Sequence, residues 1–165
     1  MIRDAEPRDA AGLARVHVTS WQSAYRGLIN QAFLDEMTIE GRIERWDALL
    51  SHVRGRVLVT EVAGEVAGFC SVGPADAEGW GEVYAIYLAP DHWGVGLGRG
   101  LLEAGEEALG ENDHDRALLW VLSTNERARV FYQRQGWTLG RPIRIENIGG
   151  SDVTEVRYEK PLRGL

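Results

Sequence analysis

Apolar positions change their period repeatedly along this chain, and each change marks out an element. Leu13, Val16, His17, Ser20, Trp21 and Ala24 recur at three- and four-residue spacing in "RDAAGLARVHVTSWQSAYRGL", which predicts an amphipathic helix after a short opening strand, "MIRDA". A second helix is expected from about Ile39 to Ser51, with Ile43, Trp46, Leu49 and Leu50 on one side and Thr38 as its N-cap. The period then shortens. "RVLVTEVAG" and "EVAGFCSVGP" are valine-rich strands joined by a hairpin turn at Gly64-Glu65, and "GEVYAIYLAP" is a third strand that stops at Pro90.

The longer period returns after Pro90. A glycine run leads into a helix that reaches about Glu111, "RALLWVLS" is a strand, and "NERARVFYQRQG" is a helix ended by Gly136. "WTLGRPIRIENIGG" and "DVTEVRYEKPL" close the chain as a hairpin around Gly149-Gly150. The predicted order is β-α-α-β-β-β-α-β-α-β-β. This is a mixed α/β fold, a mostly antiparallel sheet flanked by helices. Its one late crossover makes the strands at 83–88 and 117–122 parallel neighbours.

Composition adds bounds. With 165 residues, 44% of them hydrophobic, the chain suits a single domain spanning 1–165. It contains no apolar run of the ~20 residues that a membrane helix needs, and no secretory signal at its N-terminus, so a cytoplasmic protein is expected. The net charge of −7 and the lack of a Lys/Arg cluster speak against a nucleic-acid binder and fit an amine-bearing partner slightly better. The single cysteine, Cys70, excludes an intrachain disulfide and reads as a small buried hydrophobe. The histidines and Cys70 have no metal-ligand spacing, so no metal is expected.

Candidate chemistry begins at "DHWGVGLGRGLLEAGEEAL", where Gly94, Gly96, Gly98 and Gly100 run straight into a helix that they weaken. A strand, a glycine turn and a helix start form a phosphate site in outline. The first helical N–H groups lack partners, the helix dipole is positive there, and glycines admit an anion close to the backbone. Arg99 could add a charge-assisted contact. The dinucleotide pattern G-x-G-x-x-G fails, because its last position falls on Arg99 or Leu101, and no P-loop Gly-Lys-Ser/Thr is present.

"LAPDHWGVGLGRGLL" resembles the acyl-CoA-binding segment of the GNAT superfamily of N-acetyltransferases, which reads Gln/Arg-x-x-Gly-x-Gly/Ala after a proline-containing turn. Gly96 and Gly98 match its glycines, and Trp93 departs from its Gln/Arg. "NERARVFYQRQGW" resembles the family's Asn-x-x-Ala-x-x-Phe-Tyr-x-x-x-Gly-Phe segment, with Trp137 for the final Phe, and the element order is similar over nearly the whole chain.

This resemblance implies that acetyl-CoA is the co-substrate. Its pantetheine arm would hydrogen-bond the backbone of Ile86, Tyr87 and Leu88, at a free edge where the strand at 83–88 splays from its parallel neighbour at 117–122. Its pyrophosphate would sit on the amides of Gly94, Val95, Gly96, Leu97, Gly98 and Arg99. Asn125 matches the cofactor-contacting asparagine and is also a good helix N-cap. Tyr132 matches the tyrosine that protonates the departing thiolate, and the Leu88 N–H would be the oxyanion donor.

Amine acetylation also needs a base. Glu82 is the candidate, because strand alternation places Glu82, Tyr84, Ile86 and Leu88 on one face. Trp21, Tyr25 and Tyr84 would line the acceptor pocket, near Arg26 and Trp93, although helix-spaced aromatics such as Trp21 and Trp46 are more often core. His17 reads as a satisfied core histidine rather than a base. The expected activity is direct acetyl transfer from acetyl-CoA to a primary amine of a small molecule or peptide, without a covalent acetyl-enzyme. The alternative is a non-catalytic acyl-CoA-binding sensor or interaction domain. The acceptor's identity and pairing into a homodimer are left open.

Overall fold

The computed structural model describes residues 1–52 and 54–162. The chain opens with β1 (Ile2–Asp4), a 3-10 turn (Pro7–Asp9), α1 (Ala10–Ala24), α2 (Gln31–Glu36) and α3 (Ile39–Ser51). The strands β2 (Arg56–Val62), β3 (Glu65–Pro74) and β4 (Trp80–Leu88) follow. A 3-10 turn (Pro90–His92), α4 (Leu97–Glu111), β5 (Arg116–Leu122), α5 (Glu126–Arg134), β6 (Thr138–Ile148) and β7 (Ser151–Pro161) complete it.

The strands form one seven-stranded sheet in the order β1-β2-β3-β4-β5-β7-β6. Every pairing is antiparallel except β4 with β5. Helices cover both faces. Leu101, Leu102 and Leu109 of α4 and Tyr132 of α5 pack on Cys70, Val72, Val83, Leu119 and Tyr158. Leu13, Ala14 and Val16 of α1 and Trp46 of α3 pack on Val57, Val59 and Phe69 on the opposite face. A smaller cluster of Ile29, Leu34 and Leu122 closes one end.

Three local features depart from the sequence pattern. Between α1 and α3 there is an additional short helix, α2, capped by the Asn30 side chain, which accepts from the Ala32 N–H at 3.0 Å. It pins fully buried Leu34 into the end cluster. The β2–β3 hairpin turns one residue earlier than expected, at Ala63 and Gly64, both with positive φ. That leaves Val62 paired with Glu65.

The third departure is a β-bulge. Ser71 pairs with Ala85 and Val72 with Val83, so Tyr84 is an extra residue in β4. Alternation resets there. Val83, Ile86 and Leu88 face α4, whereas Ala85 and Tyr87 face α1. Glu82 therefore shares a face with Ala85 and Tyr87, and the expectation of one face for Glu82, Tyr84, Ile86 and Leu88 is corrected.

The predicted parallel pair is borne out, and it is short. β4 meets β5 only at Trp80↔Arg116, Gly81↔Ala117 and Glu82↔Leu118. Beyond Glu82 the two strands diverge, which opens the sheet in its middle.

Candidate active site

The opening between β4 and β5 is the floor of a groove of ≈ 1020 Å³. The end of α1, the turn after β4 and one side of α5 supply its walls. Antiparallel alternation decides which main-chain groups face it. The Ala89 N–H donates to Ala67 O at 2.8 Å, so the 67/89 pair is hydrogen-bonded and the Gly68↔Leu88 pair is not. The N–H and C=O of Leu88 and Ile86 consequently point away from β3, towards the gap. Those of Tyr87 point into the ladder with Phe69. The backbone of Tyr87 is thus removed from the expected cofactor contacts, although its ring lines the groove.

The glycine turn lies at one end. Gly94 and Gly96 have φ of +77° and +87°, and a Cβ on either would meet nothing within 4 Å. Gly96 caps α4 in the left-handed conformation, with no side chain over the first helical N–H groups. Gly98 has a different reason to be glycine: its Cβ would stand 3.3 Å from Leu88 Cδ1 and 3.5 Å from Phe131 Cζ, narrowing the groove. Val95 is exposed and, like Leu97, offers only its amide here. Arg99 borders the groove, but its Nε already holds Glu103 Oε1 at 2.8 Å.

On α5, Asn125 Oδ1 accepts from the Ala128 N–H at 3.2 Å, which leaves the side-chain NH₂ for the groove it lines. Tyr132 is buried beside Phe131, Trp137 and Tyr158 and reaches the groove. Burial pushes its pKa well up, with Tyr87 and Cys70 adding to the effect, so the phenol keeps its proton across the accessible pH range. Burial also raises the Cys70 thiol to about 12, which makes it inert as a nucleophile.

The other end of the groove is aromatic and acidic. Trp21 stacks edge-on against Tyr25 at 4.8 Å, and the hydroxyls of Tyr25 and Tyr87 lie 2.9 Å apart. Trp46, by contrast, is plain core at 5% exposure. Tyr84 borders the groove but donates its hydroxyl to the Pro74 carbonyl. Glu82 is half-buried, and desolvation raises its pKa, aided by Asp76 and Glu155 and opposed by Arg144.

Glu155 and Glu146 flank Arg144 at 2.9 and 3.4 Å. The Arg144 guanidinium lies 4.5 Å above the Trp120 ring. Sequence reasoning missed Trp120, Arg144, Glu146 and Glu155, because nothing in local spacing links β5, β6 and β7 to one cavity. His17 is buried as expected but not satisfied. Neither ring nitrogen has a hydrogen-bond partner, and burial together with Arg42 and Arg45 lowers its pKa to about 3. The described residues hold no cluster of side chains suited to a metal ion. None of their helices is long and apolar enough to cross a membrane.

Comparison with known proteins gives a consistent set of relatives. Residues 17–137 match the acetyltransferase (GNAT) family. An uncharacterized N-acetyltransferase of Bacillus subtilis is 33% identical over 135 residues, covering 80% of this chain and 76% of that protein. Another from Archaeoglobus fulgidus is 33% identical over 139 residues, covering 81% and 90%. Among solved structures, the PaiA N-acetyltransferase of Thermoplasma acidophilum, in complex with coenzyme A, superposes with a TM-score of 0.72. That match spans 98% of both chains at 20% identity and speaks to the fold.

Proposed function

The chain belongs to the acetyltransferase (GNAT) family, and on that premise we propose that its groove carries acetyl transfer from acetyl-CoA directly to a primary amine. The observation that carries this reading is the edge of β4 that no neighbouring strand pairs beyond Glu82. The main-chain groups of Ile86 and Leu88 face a gap that leads to the Gly94–Gly98 turn. A pantetheine arm has amide groups spaced to pair with such an edge, and the turn offers bare amides to a diphosphate. Asn125 contributes its free NH₂ to the same ligand.

The catalytic roles follow from position. The amine enters from the aromatic and acidic end, where Trp21, Tyr25 and Tyr84 border its path. An acceptor arriving as an ammonium ion first releases one proton to solvent, and Glu82 then takes the second, from the amine as it attacks, directly or through a water; its raised pKa suits it to that task near neutral pH better than an ordinary carboxylate. The Leu88 N–H holds the oxygen of the tetrahedral intermediate. As the C–S bond breaks, the buried phenol of Tyr132 gives its proton to the leaving thiolate. Both residues then exchange protons with solvent and return to their starting states.

Acceptor chemistry is narrowed by charge. Glu82, Glu146 and Glu155 surround one cation, Arg144, at the entry, which favours an acceptor that arrives as an ammonium ion. The alternative of binding without catalysis has no observation in its favour. The deciding experiment measures thiol release from acetyl-CoA with a panel of amines, diamines and amino-terminal peptides. Turnover with cationic amines supports the reading. CoA binding with no turnover across the panel refutes the catalytic part.

A further inference from the structure

Trp93 stands where the resembling motif carries glutamine or arginine, at the mouth of the glycine turn. Its indole Nε1–H donates to the Leu88 carbonyl at 2.9 Å, which fixes the ring against the end of β4. The guanidinium carbon of Arg127, in the first turn of α5, lies 3.6 Å from the centre of that ring. The two side chains therefore bridge the groove mouth from opposite walls.

Arg127 is exposed, borders the groove and makes no ion pair among the described residues. Two other groove cations are spent, Arg99 on Glu103 at 2.8 Å and Arg144 on Glu155 at 2.9 Å, and Arg134 borders the groove farther along α5. A ring face stabilises a guanidinium through its quadrupole while occupying none of its N–H donors. Arg127 is thus oriented in advance, with its charge unneutralised and its donors open, beside the amides of the turn. Such a group suits a phosphate, which a guanidinium grips with paired hydrogen bonds.

We propose that Arg127, seated on Trp93, grips a phosphate of the CoA nucleotide, and that Trp93 is the positioning residue that holds it there. This rests on the reading of the groove as an acetyl-CoA site. Trp93 then does by stacking what a polar side chain at that place would do by contact. The phosphate is either in the diphosphate or the 3′-phosphate, and both carry the same chemistry.

The test is calorimetry of CoA and 3′-dephospho-CoA on the full chain, at low and high salt. Arg127→Gln should weaken CoA binding roughly tenfold, the worth of a charge-assisted contact, and flatten its salt dependence. Trp93→Leu should weaken it several-fold, and adding it to Arg127→Gln should cost less than it does alone, because the platform has lost its load. Trp93→Phe, which keeps a ring face, should recover part of the loss. A loss that persists with dephospho-CoA supports a grip on the diphosphate, and one that vanishes supports a grip on the 3′-phosphate. Arg127→Gln binding CoA within twofold of wild type, or an unchanged salt dependence, overturns the assignment. A wild-type chain that binds no CoA overturns the cofactor reading and this grip with it, whereas a wild type that binds while the variant does not differ overturns the grip alone.

Discussion

Gly96 and Gly64 form a matched pair that separates backbone strain from ligand contact. Both sit at positive φ, +87° and +80°, and a Cβ on either would meet nothing within 4 Å. Alanine therefore costs each site the same local penalty, about 1–2 kcal/mol for an L-residue forced into the left-handed region. For a domain of this size that is a fall in melting temperature of about 2–4 °C per kcal/mol, equal for the two variants. Their surroundings differ. Gly64 turns the β2–β3 hairpin, whereas Gly96 caps α4 at one end of the groove.

If the open space above Gly96 belongs to a diphosphate, the new methyl group stands where an oxygen must approach. Losing even one hydrogen bond to a charged group costs about 1.5–3 kcal/mol. That corresponds to a rise in Kd for CoA of roughly tenfold to a hundredfold at 1.4 kcal/mol per decade. Gly64→Ala should leave that Kd unchanged. Melting curves and calorimetry on the two variants make the check. Equal CoA affinity in both would refute the cradle, and unequal melting temperatures would refute the strain argument that makes them a fair pair.

Other expectations follow from the same geometry. Tyr132→Phe should lower turnover by about a hundredfold or more, the usual worth of a positioned acid, with little change in acetyl-CoA affinity; steady-state kinetics with unaltered turnover would remove the acid role. Glu82→Gln should abolish the rise of rate with pH that follows loss of the carboxyl proton. Because the Glu82 pKa is raised, that rise should lie above the ordinary carboxylate range in wild type, and an unchanged profile in the variant would clear Glu82. His17 binds its proton only near pH 3 when folded, against 6.5 when exposed, so the unfolded chain takes up more protons between these values and stability falls as pH drops through that window. His17→Leu should lessen this loss by about 1–2 kcal/mol near pH 5 in urea unfolding; an identical acid sensitivity in both proteins would contradict it.

The architecture was legible wherever period and punctuation agreed. The valine-rich strands, the helix after the glycine run and the strand-helix-strand crossover all lie where the pattern put them. What escaped did so for physical reasons. The six residues of α2 are too few to show a helical period, and tertiary burial of Leu34 holds it. The bulge at Tyr84 hides in "EVYAIYL", because one inserted residue leaves a run that still reads as clean alternation. The segment of the site carried by one stretch of chain was readable: the glycine turn and the "NERARVFY" helix. Arg144 on Trp120 and Arg127 on Trp93 were not, since each pair unites elements that only folding brings together.

The bulge and the gap have a common logic. A central sheet rarely leaves main-chain groups unpaired, since each buried orphan costs on the order of 1–3 kcal/mol. Here β4 and β5 part after Glu82, and the ladder forgoes its bonds along Ile86 and Leu88. Among the described residues the Leu88 carbonyl is repaired from within, by Trp93. The bulge compounds the expense but moves Glu82 and Tyr84 to the α1 side, opposite Ile86 and Leu88. A donor lying in the gap and an acceptor approaching from the α1 side then meet at β4 from different directions. Each departure alone would weaken the sheet. Together they make one strand edge serve both partners of a transfer, which accounts for their occurring next to each other in the same strand.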